Sequence, residues 1–71
     1  MNWNMIEGKW KEVSGTAKEQ WGMLRDDELQ QIDGKKDKLE GLIQQRYGVT
    51  QEEAARQIDD WAAGLKKFVN E

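Results

Sequence analysis

Apolar residues recur along this chain in steps of three and four. Trp10, Val13, Ala17, Trp21 and Leu24 keep that spacing, so on a helix they fall on one face as a stripe. Leu29, Ile32, Leu39 and Ile43 carry the rhythm across the middle, with Lys36 interrupting it and Gly34 marking a kink or junction. Ala54, Ala55, Ile58, Trp61, Ala62, Leu65, Phe68 and Val69 cover a broad face of a last helix, whose opposite face carries Glu53, Gln57, Asp60 and Lys67. Proline is absent, so breaks fall to glycine and to capping side chains. Gly22 and Gly48, directly after Trp21 and Tyr47, are placed to end helices in the left-handed conformation. Thr50, with Glu53 three places on, has the capping-box spacing, and Asp26 offers a second cap, with Asp27 and Glu28 suiting the positive end of the helix dipole.

Glycine also sets a longer period. Gly8, Gly15 and Gly22 lie seven residues apart, as do Gly34, Gly41 and Gly48, and the two sets superpose at an offset of 26 residues. Seven positions of those 26 are identical, Gln31-Ile32-Asp33 against Gln57-Ile58-Asp59 among them, which points to an internal duplication. Each unit reads as a long helix, a glycine stop, a short polar turn and an acid-started second helix. Gly15 and Gly41 fall inside helices, where glycine costs about 1 kcal/mol relative to alanine. The leading reading, which offsets this cost, is a close approach of a neighbouring helix or indole ring across the missing side chain; the alternative is exposed glycines kept for flexibility. Gly8 and Gly34 read as start or junction positions.

Seventy-one residues bound the chain to one domain, 1–71, with residues 1–4 and 69–71 expected to fray. A domain this short buries only about 60% of its unfolded surface, so its core is small. Without cysteine or histidine there is no disulfide, and zinc, haem and iron–sulfur sites lose their usual ligands. The four tryptophans, each able to bury roughly 150–250 Å², are the expected compensation. No apolar run is long enough to span a membrane, and the start MNWNMIEGKW lacks the basic and apolar regions of a secretory signal, so a soluble cytoplasmic protein is expected.

The stretches GKWKEVSGTAKEQWG, DDEL, GKKDKLEGLIQQRYG and EEAARQIDDW, taken in order, resemble the CsbD-like family of bacterial general stress-response proteins in its longer, tryptophan-bearing proteobacterial form. The resemblance covers about residues 3 to 61. It implies an all-α fold, a small bundle of about four helices arranged as two crosswise-packed α-hairpins in a SAM-domain-like manner. It implies no catalytic residues. Arg25 stands where the family pattern commonly has a threonine cap, which shifts the expected cap to Asp26.

Candidate chemistry is sparse. Ser14, Thr16 and Thr50 are hydroxyls without a histidine base, and there is no thiol nucleophile. The acidic pairs Asp26-Asp27 and Asp59-Asp60 point in different directions on a helix and lack a calcium-loop pattern, so they read as helix-start and solvated charges. No catalytic, cofactor-binding or metal-ligating residue is assigned, and no cofactor is expected. Nucleic acid is disfavoured, because the pI is near 4.9 and Lys9, Lys11 and Lys18 interleave with Glu7, Glu12 and Glu19. A membrane surface is disfavoured too, since Trp61, Leu65 and Phe68 suit a core, with Lys66 and Lys67 complementing a helix C-terminus. The expected function is that of a non-enzymatic stress-response protein, a monomer acting as a small helical protein-interaction module for an unknown protein partner. Its surface grooves, or an exposed Trp3 in the N-terminal tail, would make the contact. The alternative is a hydrophilin-like protectant of other proteins during osmotic or desiccation stress, suggested by seven glycines and a mean hydropathy of −1.01.

Overall fold

The computed structural model describes residues 3–65; Lys66, Lys67, Phe68 and Val69 of the expected last-helix face lie outside the described residues. Five helices follow in order: α1 Trp3–Gly8, α2 Trp10–Gln20, α3 Asp26–Ile32, α4 Lys36–Tyr47 and α5 Gln51–Gly64. The fold is all-α, as the periodicity and the resemblance imply. The described residues hold five helices where about four are expected, because the chain bends at Lys9 (φ −110, ψ 25), which separates α1 from α2. Trp3 and Asn4 accordingly belong to a helix.

The apolar steps of the sequence become one core to which every helix contributes. Ile6 enters from α1, Trp10, Val13 and Ala17 from α2, Leu29 and Ile32 from α3, Leu39 and Ile43 from α4, and Ala54, Ile58 and Trp61 from α5. Trp21 and Leu24 join from the connection between α2 and α3, and Leu65 from the C-cap of α5. No polar or charged side chain is buried among the described residues, so the core is held by packing. The helix pairs in most extensive contact are α4 with α5 and α2 with α3.

The 26-residue offset is visible in the elements. α2 begins at Trp10 and α4 at Lys36, and the equivalent residues Val13 and Leu39, Ala17 and Ile43, and Ile32 and Ile58 are all buried. The units part company at one position. Asp33 and Gly34, both at positive φ (53° and 80°), turn the chain after α3. Asp60 occupies the position equivalent to Gly34, and there α5 runs straight on. A left-handed turn that glycine adopts freely is strained for other residues, so the exchange of Gly for Asp goes with a longer helix.

The glycine expectations need correction. A Cβ placed on Gly15 or Gly41 meets nothing within 4 Å, so neither is a close-contact position; both face outward on exposed helix surface. The close approach is at Gly34, where a Cβ would stand 3.0 Å from the Glu7 Cα and 3.3 Å from the Trp10 Cβ. Gly48 does end α4 in the left-handed conformation (φ 67). Gly22 does not have a positive φ. The chain has already left α2 at Trp21 (φ −124, ψ 80), and the Lys18 ammonium takes up the free carbonyls of Gly22 and Leu24 at 3.4 and 2.5 Å.

Capping departs from expectation in the same local way. Arg25, not Asp26, is the N-cap of α3, because its extended backbone (φ −92, ψ 152) lets its N–H donate to Glu28 Oε1 at 3.0 Å. Thr50 caps α5 as its spacing predicts, its Oγ1 accepting from the Glu53 N–H at 3.1 Å. The reciprocal half of that box is replaced: the Glu53 carboxylate binds Arg56 and Gln57 instead.

Candidate interaction surface

At the junction of the helices Trp61 acts as a hub for the other three indoles. Its ring centroid lies 5.2 Å from Trp21, 6.2 Å from Trp3 and 6.5 Å from Trp10, all in tilted or edge-to-face geometry. Such pairs add about 0.5–1.5 kcal/mol beyond the area they bury. Three of the four N–H groups are satisfied. Trp10 donates to the Leu29 carbonyl at 2.8 Å, Trp3 to the Gly34 carbonyl at 2.5 Å, and Trp21 to Gln57 Oε1 at 2.9 Å. Trp61, 8% exposed, has no acceptor for its buried Nε1–H among the described residues.

Trp3 is therefore not the free tail residue that the sequence suggested. It is half-buried against the core, its N–H is engaged, and the Lys36 ammonium stands 5.9 Å from its ring centroid. Lys36, the interruption in the apolar stripe, is explained by the same contact: its ammonium lies over the indole and reaches Asp59 Oδ1 at 3.1 Å. Gln57 is a second correction. Placed by pattern on the solvent face of α5, it is half-buried and links the Trp21 indole to Glu53, its Nε2 donating to Glu53 Oε2 at 2.9 Å.

Most of the candidate chemical groups are occupied locally, Asp26 being the exception among them. Ser14 and Thr16 donate to the carbonyls of Lys11 and Val13 within α2, at 3.3 and 2.7 Å, and Thr50 is the cap already described. Asp27 pairs with Arg25, Asp59 with Lys36 and Asp60 with Arg56. Among the described residues no cluster of three or more acidic, histidine or cysteine side chains is placed to hold a metal ion. No helix of the described residues is long and apolar enough to cross a membrane.

Surface clefts lie between the helices, two of them larger than a third of about 120 Å³ beside Gly15 and Leu29. One of about 450 Å³ runs between α1, α2 and α3, lined by Glu7, Trp10, Lys11, Ser14, Gln30 and Asp33. The other, of about 350 Å³, lies beside Trp61 between the ends of α2 and α5 and carries Glu19 and Asp60. Among the described residues Met5 on α1 is 39% exposed, and two further large apolar side chains are exposed elsewhere. Met23 and Tyr47 are 58% and 37% exposed and are held together, the Tyr47 hydroxyl accepting from the Met23 N–H at 3.0 Å. The duplication offers Tyr47 as the counterpart of Trp21, but its position at the end of α4 leaves it at the surface.

Electrostatics are local. The Lys35–Glu7 bond, 2.6 Å between Nζ and Oε2, raises the Lys35 pKa above its ordinary value. The hydrogen bond from Arg56, with a second from Gln57, lowers that of Glu53, and the same bond raises that of Arg56. Glu28 and Arg46 form an ion pair joining α3 to α4.

These features define a small all-helical domain with an indole-centred core and a charged surface. A CsbD-like family profile matches residues 4–56, and the chain belongs to the CsbD-like family. Membership implies a general stress-response protein whose molecular role is open. The chain is similar to a UPF0337 protein of Rhizobium meliloti, 62% identical over 32 residues, which cover 45% of this chain and 46% of the relative. It is similar also to UPF0337 proteins of Mesorhizobium japonicum (59% over 31 residues, 44% and 46%) and Rhodopirellula baltica (62% over 29 residues, 41% and 43%). The matches thus span a little under half the length of these curated relatives. No solved structure matches the chain.

Proposed function

We propose that the protein is a non-enzymatic, cytoplasmic interaction module of the stress response, which engages a protein partner through a surface that only the folded domain presents. The observation that carries this reading is the commitment of all four tryptophans to one cluster. A chain acting through composition alone gains nothing from indoles fixed edge to face, whereas a chain presenting a defined surface depends on them. The surface favoured for the contact is the end where Met23 and Tyr47 stand exposed side by side, since aromatic and methionine side chains are enriched at protein interfaces. Crosslinking in stressed cells tests it: the proposal expects a discrete partner that is lost in Met23→Ser/Tyr47→Ser and in the core-broken Trp10→Ala/Ile58→Ala.

A second reading, a hydrophilin-like protectant, is favoured by Gly15, Gly41 and Gly64. These positions have open space around them and no positive φ, so local packing does not call for glycine there. Drying a labile enzyme with wild type and with Trp10→Ala/Ile58→Ala separates the two. Equal protection supports the protectant, and protection that depends on the fold supports the module.

A further inference from the structure

The short helix α1 is attached to the rest of the molecule in an unusual way. Its contacts fall on the turn between α3 and α4 and on α5: Trp3 donates to the Gly34 carbonyl and packs against Trp61, Glu7 pairs with Lys35, the Glu7 backbone lies over Gly34, and Lys36 covers the Trp3 ring. Ile6, 1% exposed, anchors it in the core. Its connection to α2 is one residue long. Lys9 departs from helical geometry mainly in ψ (25°), and the ladder nearly bridges it: the Lys9 N–H bonds back to Met5 and Ile6, and the Glu12 and Val13 N–H groups bond to the Lys9 carbonyl. No backbone bond from the Trp10 or Lys11 N–H crosses to α1 among the described residues.

We propose that α1 is an exchangeable element, and that two copies of this chain form a dimer by each seating its α1 on the α3–α4 turn of the other. Rotation at Lys9 alone turns α1 and α2 into one continuous helix, lifts α1 from its own seat and completes the two missing backbone bonds. The seat itself shows what fits it, because an incoming α1 from a second copy makes the same Trp3, Ile6 and Glu7 contacts that the resident one makes. Closed monomer and exchanged dimer therefore differ chiefly at the hinge and in the entropy of association, the condition under which domain swapping is set by concentration. A chain that accumulates would shift towards the dimer. This goes beyond the proposed module and does not depend on it.

The Glu7–Lys35 pair provides the test without altering the chain. A zero-length carbodiimide joins that carboxylate and amine as an amide, within one chain in the monomer and between chains in the exchanged dimer. Unlabelled and ¹⁵N-labelled protein are mixed, unfolded and refolded together over a series of concentrations, crosslinked and read by peptide mass spectrometry. The expected result is a Glu7–Lys35 amide whose two peptides differ in isotope and whose share rises with concentration. Gly8→Ala, in open space beside the hinge and helical in both forms, gives a second chain in which the same concentration-dependent share is expected. Glu7–Lys35 amides confined to a single isotope at every concentration, in wild type and in Gly8→Ala, would overturn the proposal. Mixed-isotope crosslinks that join other residues but never Glu7 to Lys35 would overturn it as well, since they place the contact on another surface.

Discussion

Gly34 lies beneath Glu7, with the Glu7 Cα 3.0 Å from where a Gly34 side chain would begin, and its carbonyl receives the indole N–H of Trp3. One residue thus makes the left-handed turn between α3 and α4 and the seat on which α1 rests. Gly34→Ala meets both a φ of 80° and a backbone atom, and should destabilise by about 1–3 kcal/mol. Gly15→Ala and Gly41→Ala, in open helix surface, should each stabilise by up to about 1 kcal/mol. Urea titrations followed by circular dichroism check the opposite signs.

The unpartnered N–H of Trp61 makes a contrast with Trp21. Trp61→Phe loses ring area but also removes a buried donor that costs about 1–3 kcal/mol to leave unmade, so its net cost should be the smaller. Trp21→Phe gives up the bond to Gln57 and should cost more. Trp61→Ala removes the hub and should cost about 3–5 kcal/mol, close to the whole stability available to a core of this size. The three variants are compared by denaturant midpoints.

Stability should be nearly flat through neutral pH, because no histidine is present. Glu53 has its folded pKa lowered by Arg56, so its contribution is present above the ordinary value of 4.5 and is lost as pH falls through the lower folded value. Lys35 has its pKa raised by Glu7, so its contribution is present below the ordinary value of 10.5 and is lost as pH rises through the higher one. Glu53→Gln should flatten the acid limb and Glu7→Gln the alkaline limb in thermal melts across pH. Because Gln57 links Glu53 to the Trp21 indole, the acid change should register in tryptophan fluorescence.

Thr50→Ala removes the side-chain cap of α5 and should cost about 1 kcal/mol, whereas Asp26→Ala, at a residue that is not the cap, should cost less. Urea midpoints measured at one pH give the comparison.

The stripe from Trp10 to Leu24, the Leu39 and Ile43 pair and the face from Ala54 to Leu65 were legible in the sequence, because burial of apolar residues at helical spacing is a local signal that the fold preserves. The Thr50 cap and the Gly48 stop were legible for the same reason. Gly15 and Gly41 were misread because sequence shows that a side chain is missing but not what lies across from it. Gln57 and Trp3 were misread because a long polar side chain or a terminal indole takes its place from a partner far along the chain, here Trp21 and Gly34. The Met23–Tyr47 patch had no periodic signature, since a residue of the α2–α3 loop and the end of α4 meet only in the folded chain.

The indole cluster around Trp61 is the claim on which the fold-dependent account stands, and the four indole N–H signals in a ¹H–¹⁵N spectrum test it most directly. The account predicts four dispersed signals, with Trp61 protected from solvent exchange by burial and shifted as an N–H without an acceptor. Four overlapping signals at the position of free indole, exchanging freely with water, would contradict it.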